Sequence, residues 1–319
     1  MRDELKFIAD AIFAAQKIVL FTHISLDGDS LGSSGALALV LENMKKEVFI
    51  LTETSVPGAL EFLPVQHLIV TELPEGFVPE LSIALDCGDR ERFADREKIF
   101  DSASVTANID HHRTNIGYAQ LNCVDKNKSS TSELVYEMIK DMNVEITKDV
   151  AKCIYVGLAT DTGGFRHANT NSDTHLCASE LLKYGLNIAP LSQDIFVYSS
   201  ESMIKLQARA LASLELYYDK KLAIVTVTQQ DFEECGAARS ETEGFADFGR
   251  ALPSVLASVS MREFEKNKIK ISMRSKGLYN VAKIAQIFGG GGHINAAGCS
   301  IDDTFENAKA KIIKAFEAI

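Results

Sequence analysis

Four apolar runs of this chain each end on a side chain that binds metals: IVLFT on His23, SIAL on Asp86, TANI on Asp110 and His111, and CIYVGLAT on Asp161. If the first three runs are parallel strands, their carboxyl ends share one edge of a sheet, and open α/β sheets take their ligands at that edge. The pattern therefore predicts a fold class and also the place of a site assembled from residues far apart in the chain.

The densest cluster is HISLDGDSLGS, where His23, Asp27 and Asp29 lie between a strand and a helical pattern. Gly28 is expected to let the turn bend between the two carboxylates, and Ser30, Gly32 and Ser33 suit a helix start. Two acids this close repel unless cations lie beside them, as in a two-metal site, where carboxylates and imidazoles clamp both ends of a phosphoryl displacement. Oxygen and nitrogen donors without thiolates favour manganese, magnesium or iron over structural zinc, with manganese the first choice. Taken alone, the DxD reads equally as an Asp-rich turn capping a helix, and Asp86 or Asp110 as a polar residue closing a strand. Four segments ending in the same donor types, one of them with an Asp-His-His triple, favour the metal reading.

In this order the segments resemble the DHH phosphoesterases: HISLDGD, ALDCGD, NIDHHRTN with Asp110-His111-His112, GLATDTGGF, and FGGGGHINAAG. The last is similar to the signature of the DHH-associated C-terminal domain. The resemblance spans nearly the whole chain. Leu26 stands where many relatives have proline; it supplies no ligand atom, so only a local backbone difference is expected. The resemblance implies that His23, Asp27 and Asp86 hold one divalent metal and that Asp29, Asp86, His111 and Asp161 hold a second, with Asp86 bridging. It implies that Asp110 lies behind the ligands and orients an imidazole. His112 is then the candidate general acid or phosphate contact.

At 319 residues the chain exceeds what one core usually supports, so two domains are expected. The βα alternation, with strands near 17–23, 46–52, 67–71, 81–86 and 105–110, predicts a mostly parallel, doubly wound sheet over residues 1–187. Residues 188–213 read as a helical linker and 214–319 as a smaller mixed α/β domain, with the active site expected in the cleft between the two domains. In KIKISMRSK, period-two geometry puts Lys268, Lys270, Ser272, Arg274 and Lys276 on one face and Ile269, Ile271, Met273 and Ser275 on the other. A guanidinium can take phosphate oxygens in bidentate fashion, and the resemblance places Arg274 in the substrate cleft. The run Gly289-Gly290-Gly291-Gly292-His293 could form an anion-binding nest of consecutive N–H groups. Here the resemblance implies that the backbone of Gly290, Gly291 and Gly292, with His293, binds the terminal nucleotide of the substrate.

A formal net charge of −11 argues against a long duplex, whose phosphates need extensive basic surface. A mononucleotide or a short single-stranded RNA can still be drawn to two cations, Arg274 and the glycine run. Six scattered cysteines without a CxxC pair read as reduced core residues of a cytoplasmic protein. The amino-terminal MRDELKFIADAIFAAQKIVLF is broken by charges and reads as an amphipathic helix leading into the first strand, not as a membrane element. A homodimer is suggested by relatives and by no residue pattern.

The expected reaction is in-line hydrolysis of a phosphoester assisted by two cations. Within the family the chain most resembles the group that degrades very short RNAs to nucleoside 5′-monophosphates and removes the 3′-phosphate of 3′-phosphoadenosine 5′-phosphate (pAp). A phosphodiesterase for cyclic di-adenylate or pApA is the alternative. RecJ-type exonucleases need further nucleic-acid-binding domains, and family II pyrophosphatases carry a Ser-Arg-Lys-Lys-Gln loop that this sequence lacks. A catalytically silent nucleotide sensor predicts the loss of a ligand, whereas each candidate position holds Asp or His.

Overall fold

The structure is a computed structural model that describes every residue except Met1, Ser25, Glu243, Leu278, Ala318 and Ile319. The chain divides into two units, Met1–Tyr198 and Ser199–Ile319.

In the first unit, helix α1 (Asp3–Ala14) leads into strand β1 (Lys17–Phe21), followed by α2 (Gly28–Asn43), β2 (Glu47–Leu51), β3 (Ile69–Val70) and β4 (Leu81–Leu85). Then come α3 (Glu97–Phe100), β5 (Val105–Asp110), β6 (Leu121–Val124), α4 (Thr131–Asp141), α5 (Lys148–Asp161), α6 (Ser172–Leu182) and α7 (Ile188–Phe196). The sheet order is β3-β2-β1-β4-β5-β6 and every pairing is parallel. This is the doubly wound order, and its direction reverses between β1 and β4, where loops diverge and leave a crevice at the carboxyl edge. Strands β1 and β4 are almost wholly apolar because both faces of a parallel sheet are covered. One face carries α2, α4 and α5 in the main core; the other is closed by Phe21, Phe93 and Phe100, whose rings pack edge-on or tilted.

The run CIYVGLAT, the one of the four not taken as a parallel strand, forms the second half of α5, whose continuous apolar stretch is buried between neighbouring elements. A short apolar run cannot separate a buried strand from a buried helix. Strand β6, only four residues long, escaped the sequence reading.

The second unit contains α8 (Glu201–Ala212), β7 (Glu215–Tyr217), β8 (Leu222–Val227), α9 (Gln229–Cys235), β9 (Ala257–Glu265) and β10 (Lys268–Ser275). It ends with α10 (Val281–Ile287), β11 (Gly291–His293), β12 (Ala296–Asp302) and α11 (Phe305–Glu317). Its sheet, β11-β12-β10-β9-β8-β7, is mixed, with only β8 and β9 parallel. Strand β10 alternates as its sequence requires: Ile269, Ile271 and Met273 are buried beneath α10 and α11, and Arg274 is on the other face. The division at Tyr198 and Ser199 falls inside the segment 188–213 read as a linker. Helix α7 packs its Leu191 into the core of the first unit, while α8 contributes Leu206 and Ala210 to that of the second. All six cysteines are buried and unpaired, and among the described residues no helix is long and apolar enough to cross a membrane.

Candidate metal centre

The loop after β1 presents His23, and Asp27 then caps α2. One Asp27 oxygen accepts from the N–H groups of Asp29 and Ser30 at 3.1 and 3.0 Å. Its other oxygen lies 3.4 Å from His23 Nε2. Asp27 is therefore both helix cap and candidate ligand, and the two readings of DxD coexist. Gly28 serves a different purpose from the tight turn expected of it. It is the first residue of α2, and a Cβ there would lie 2.4 Å from Thr160 Oγ1 on α5.

Asp86 follows β4 with φ of +59°, in the left-handed region that Asp tolerates better than most residues. The carboxylate is buried and its two oxygens diverge. Oδ2 is 3.5 Å from His23 Nε2, and Oδ1 is 3.6 Å from His111 Nε2. Strained backbone of this kind collects at functional sites.

From the end of β5 come Asp110, His111 and His112. His111 Nε2 is 3.6 Å from Asp161 and 4.0 Å from Asp29. Asp110 is fully buried, and its Oδ1 is 2.7 Å from His112 Nδ1 while Oδ2 accepts from Asn115 at 2.6 Å. The imidazole that Asp110 orients is thus His112. Burial opposes ionisation of Asp110, but the bonds from His112 and Asn115 outweigh it and hold the carboxyl below its usual range. In turn, the bond to Asp110 holds His112 up to about 9 against burial.

Asp161 ends α5, and Asn169 donates to its Oδ2 at 2.9 Å and to the Ser129 carbonyl at 2.7 Å. The approach of α5 to α2 depends on missing side chains. A Cβ on Gly32 would lie 2.6 Å from the Cys153 carbonyl, and one on Gly157 would lie 1.9 Å from Ser132 Oγ and 2.8 Å from Asp29 Oδ1.

The sequence reading overlooked the Ser-rich start of α4. The N–H groups of Thr131 and Ser132 donate to the two Asp29 oxygens at 2.7 and 2.9 Å, and Thr131 Oγ1 donates to Asp86 Oδ1 at 3.0 Å. A helix N-terminus therefore faces Asp29, and the electropositive end of the helix favours a carboxylate there. The signal was present as Ser130 followed by Glu133, an N-cap pattern, but nothing in it pointed to a partner about a hundred residues away.

The cluster is crowded with charge. Burial, with Asp86 and Asp161 nearby, pushes the Asp29 carboxyl well up, and burial holds Asp161 up to about 6. Burial opposes protonation of His23, yet Asp27 and Asp86 hold it up to about 9. Carboxylates packed this closely call for positive charge among them. Among the described residues the side chains form three groups able to hold an ion, each with its donor atoms within 4.8 Å of one another: His23, Asp27 and Asp86; Asp29, His111 and Asp161; and Asp86, His111 and His112. The donor set is oxygen and imidazole only, which fits a hard or intermediate divalent ion. The buried His23 Nδ1 has no partner among the described residues, and the other nitrogen of the ring faces two carboxylates. All six residues expected to hold metal meet within this unit.

In the second unit, Arg274 lines a pocket of about 240 Å³ with Arg239, Arg262, Ser272 and Thr242. Among the described residues no carboxylate lines it, although Arg239 pairs with Glu265 at 3.2 Å and Arg274 lies 3.9 Å from Asp247. Arg262 donates to Thr242 at 3.0 Å and also to Ser272, and its Nε has no partner among the described residues. The glycine run differs from the nest expected of it. Gly291–His293 form the edge strand β11, paired with Ala296–Gly298 of β12. Cβ atoms on Gly290 and Gly292 would lie 2.2 and 2.5 Å from carbonyls of that partner strand, so these two glycines are needed for the hairpin itself. His293 is exposed at its end.

Comparison with known proteins agrees with this arrangement. The N-terminal domain of the DHH family matches residues 17–158, and the DHHA1 domain matches residues 219–319. The chain is 31% identical to the bifunctional oligoribonuclease and PAP phosphatase NrnA of Thermus thermophilus, over 94% of this chain and 89% of that one. It is 25% identical to the cyclic-di-AMP phosphodiesterase PdeA of Listeria monocytogenes, over 98% of this chain and 49% of that one. An exopolyphosphatase-related protein from Bacteroides fragilis superposes with a TM-score of 0.93 at 29% identity, covering 100% of this chain and 96% of that one.

Proposed function

Because this chain belongs to the DHH family and carries both its N-terminal domain and a DHHA1 domain, we propose that it is a dinuclear-metal phosphoesterase. In this reading it hydrolyses short oligoribonucleotides to nucleoside 5′-monophosphates and removes the 3′-phosphate of pAp. The observation that carries the two-metal reading is the division of the Asp86 oxygens, one toward His23 and the other toward His111. In the proposed assignment His23, Asp27 and Asp86 hold one ion and Asp29, Asp86, His111 and Asp161 the other, with manganese preferred and magnesium accepted. When bound, the pair supplies an activated water and neutralises charge on the phosphoryl oxygens.

The protein's own groups do the rest. Thr131 and the start of α4 fix the carboxylates of Asp86 and Asp29. Asp110 holds His112 by Nδ1, which leaves Nε2 to carry a proton toward the leaving oxygen. Cations beside it would draw the His112 pKa down from about 9 toward neutrality, where a general acid works best. In the second unit, Arg274 and His293, with the backbone of Gly290, Gly291 and Gly292, are proposed to take the terminal nucleotide. The three-arginine pocket supports this: Arg239 is paired with Glu265, but Arg262 makes no ion pair among the described residues and Arg274 meets Asp247 only at 3.9 Å, which leaves two guanidinium groups for a phosphate.

The test is a rate comparison of the manganese-loaded protein on pAp, pApA, RNAs of two to five nucleotides, cyclic di-adenylate and pyrophosphate. Highest kcat/KM on pAp and the short RNAs is the expected result. Preference for cyclic di-adenylate would shift the assignment to the activity named for the Listeria relative. Activity on pyrophosphate alone would overturn it.

A further inference from the structure

Beside the candidate metal centre, on the His112 side, two cavities of about 390 and 600 Å³ share His112, Arg113, Lys126 and Asn127 as walls. Each lies within the roughly 300 to 1,000 Å³ typical of small-ligand pockets, and together they form a groove leading away from His111 and Asp161. Arg113 and Lys126 are exposed and make no ion pair or hydrogen bond among the described residues. In a chain of net charge −11, most of the other cations near this edge are engaged: Lys128 with Glu133 and Glu137, and Arg2 with Asp125. Two acids also line the larger cavity. Asp125 is neutralised by Arg2 at 2.7 Å, and Glu4 lines only the cavity farther from the metal centre.

The wall carrying Arg113 is rigid. Asn115 ties the loop after His112 to the Cys87 carbonyl at 3.3 Å and to Asp110 at 2.6 Å, and accepts from Gly117 at 2.8 Å. Asn122 closes the loop on Ala119 at 2.6 Å. Ile116, 94% exposed, stands on this loop. A single exposed apolar residue is ordinary; on a fixed wall next to two unpaired cations it offers a face for a base. The Asn127 side chain makes no hydrogen bond among the described residues and faces both cavities.

We propose that this groove binds the nucleotide on the far side of the scissile phosphate, with Arg113 and Lys126 on its phosphate and Ile116 against its base. The inference rests on the oligoribonuclease reading and deepens it: the groove serves oligonucleotides but not pAp, whose scissile phosphate is terminal. It therefore separates the two substrate classes that share one centre.

The test compares the full-length protein with the R113M/K126M double variant, which removes both charges and keeps apolar stems. At neutral pH pAp and pApApA each carry a charge of roughly −4, so long-range attraction affects them alike. With manganese, the ratio of kcat/KM on pApApA to that on pAp is expected to fall at least tenfold, and the R113K/K126R variant to restore most of it. With the metals chelated and turnover stopped, the dissociation constant of labelled pApApA is expected to rise at least tenfold. Its salt slope should lose about 0.7, the value for one single-strand phosphate neutralised. An unchanged ratio and unchanged binding overturn the groove while the function stands. Equal losses on both substrates also overturn it, because the cations would then serve the common centre. A wild-type protein that hydrolyses neither substrate overturns the functional reading, and the binding measurement still decides the groove.

Discussion

Replacing Gly157 by alanine adds one methyl group at the crossing of α2 and α5. The added Cβ would stand 1.9 Å from Ser132 Oγ, and 2.8 Å from both Ser132 Cβ and Asp29 Oδ1. Real Cβ contacts essentially never fall below 3.0 Å, so about 1 Å must be gained against Ser132 Oγ and a few tenths of an ångström against the other two atoms. Rotating the Ser132 hydroxyl removes only the first clash; the other two demand movement of α4 or of the Asp29 carboxylate. Overpacking of this kind costs about 1–3 kcal/mol. At about 2–4 °C per kcal/mol for a unit of this size, melting should fall by about 2–12 °C. The chemical effect adds to this, because Asp29 is held by the N–H groups of Thr131 and Ser132; a misplacement of about 1 Å can cost on the order of a hundredfold in rate, so a shift of a few tenths of an ångström should cost roughly severalfold. Differential scanning fluorimetry with and without manganese, together with kcat/KM on pAp, measures both effects. Gly58→Ala is the control, since a Cβ there meets nothing within 4 Å. Adding Ser132→Ala to Gly157→Ala should recover part of the loss. A Gly157→Ala protein with unchanged melting temperature and manganese midpoint refutes the claim that this close approach sets the site.

Thr131→Val keeps the N–H bond to Asp29 and removes the hydroxyl bond to Asp86, so manganese half-saturation should rise about tenfold while Thr131→Ser stays near wild type; calorimetric titration decides. His112→Asn should lower kcat by about 10²- to 10⁴-fold with manganese affinity nearly unchanged, and a matching loss of affinity would make His112 a ligand instead. Manganese must displace a proton from His23, which Asp27 and Asp86 hold up to about 9 against burial, another from Asp29, whose carboxyl burial pushes well up, and below about 6 one from Asp161, whose pKa burial raises. Protonation favours the free site, so affinity should fall by at least about tenfold per pH unit as pH drops from 9 to 6 and more steeply below, as read by titration across that range.

Much of this was legible in the chain because parallel strands convert sequence into position. Once SIAL and TANI are strands running the same way, Asp86 and Asp110 must emerge on one edge, and the reversal of strand order between β1 and β4 brings His23 beside them. The alternation in β10 separated Arg274 from the core for the same reason. What escaped depends on contacts between elements. Gly28, Gly32 and Gly157 look like turn or helix-weakening residues until α2 and α5 are placed side by side. Thr131 and Ser132 look like an ordinary helix start until Asp29 arrives from the first third of the chain. The glycine run has the composition of an anion nest, yet Gly290 and Gly292 are needed for the close approach of β12. The left-handed backbone at Asp86 leaves no mark in the sequence, since Asp is common in loops whatever their conformation.

The central claim is that Asp86 joins two cations held by side chains from separate strands and helices. Anomalous diffraction at the manganese edge, from crystals grown with manganese, tests it most directly. The account predicts two peaks, one bounded by His23, Asp27 and Asp86 and the other by Asp29, Asp86, His111 and Asp161, with Asp86 touching both. A single peak, or a second ion bound without Asp86, would contradict it.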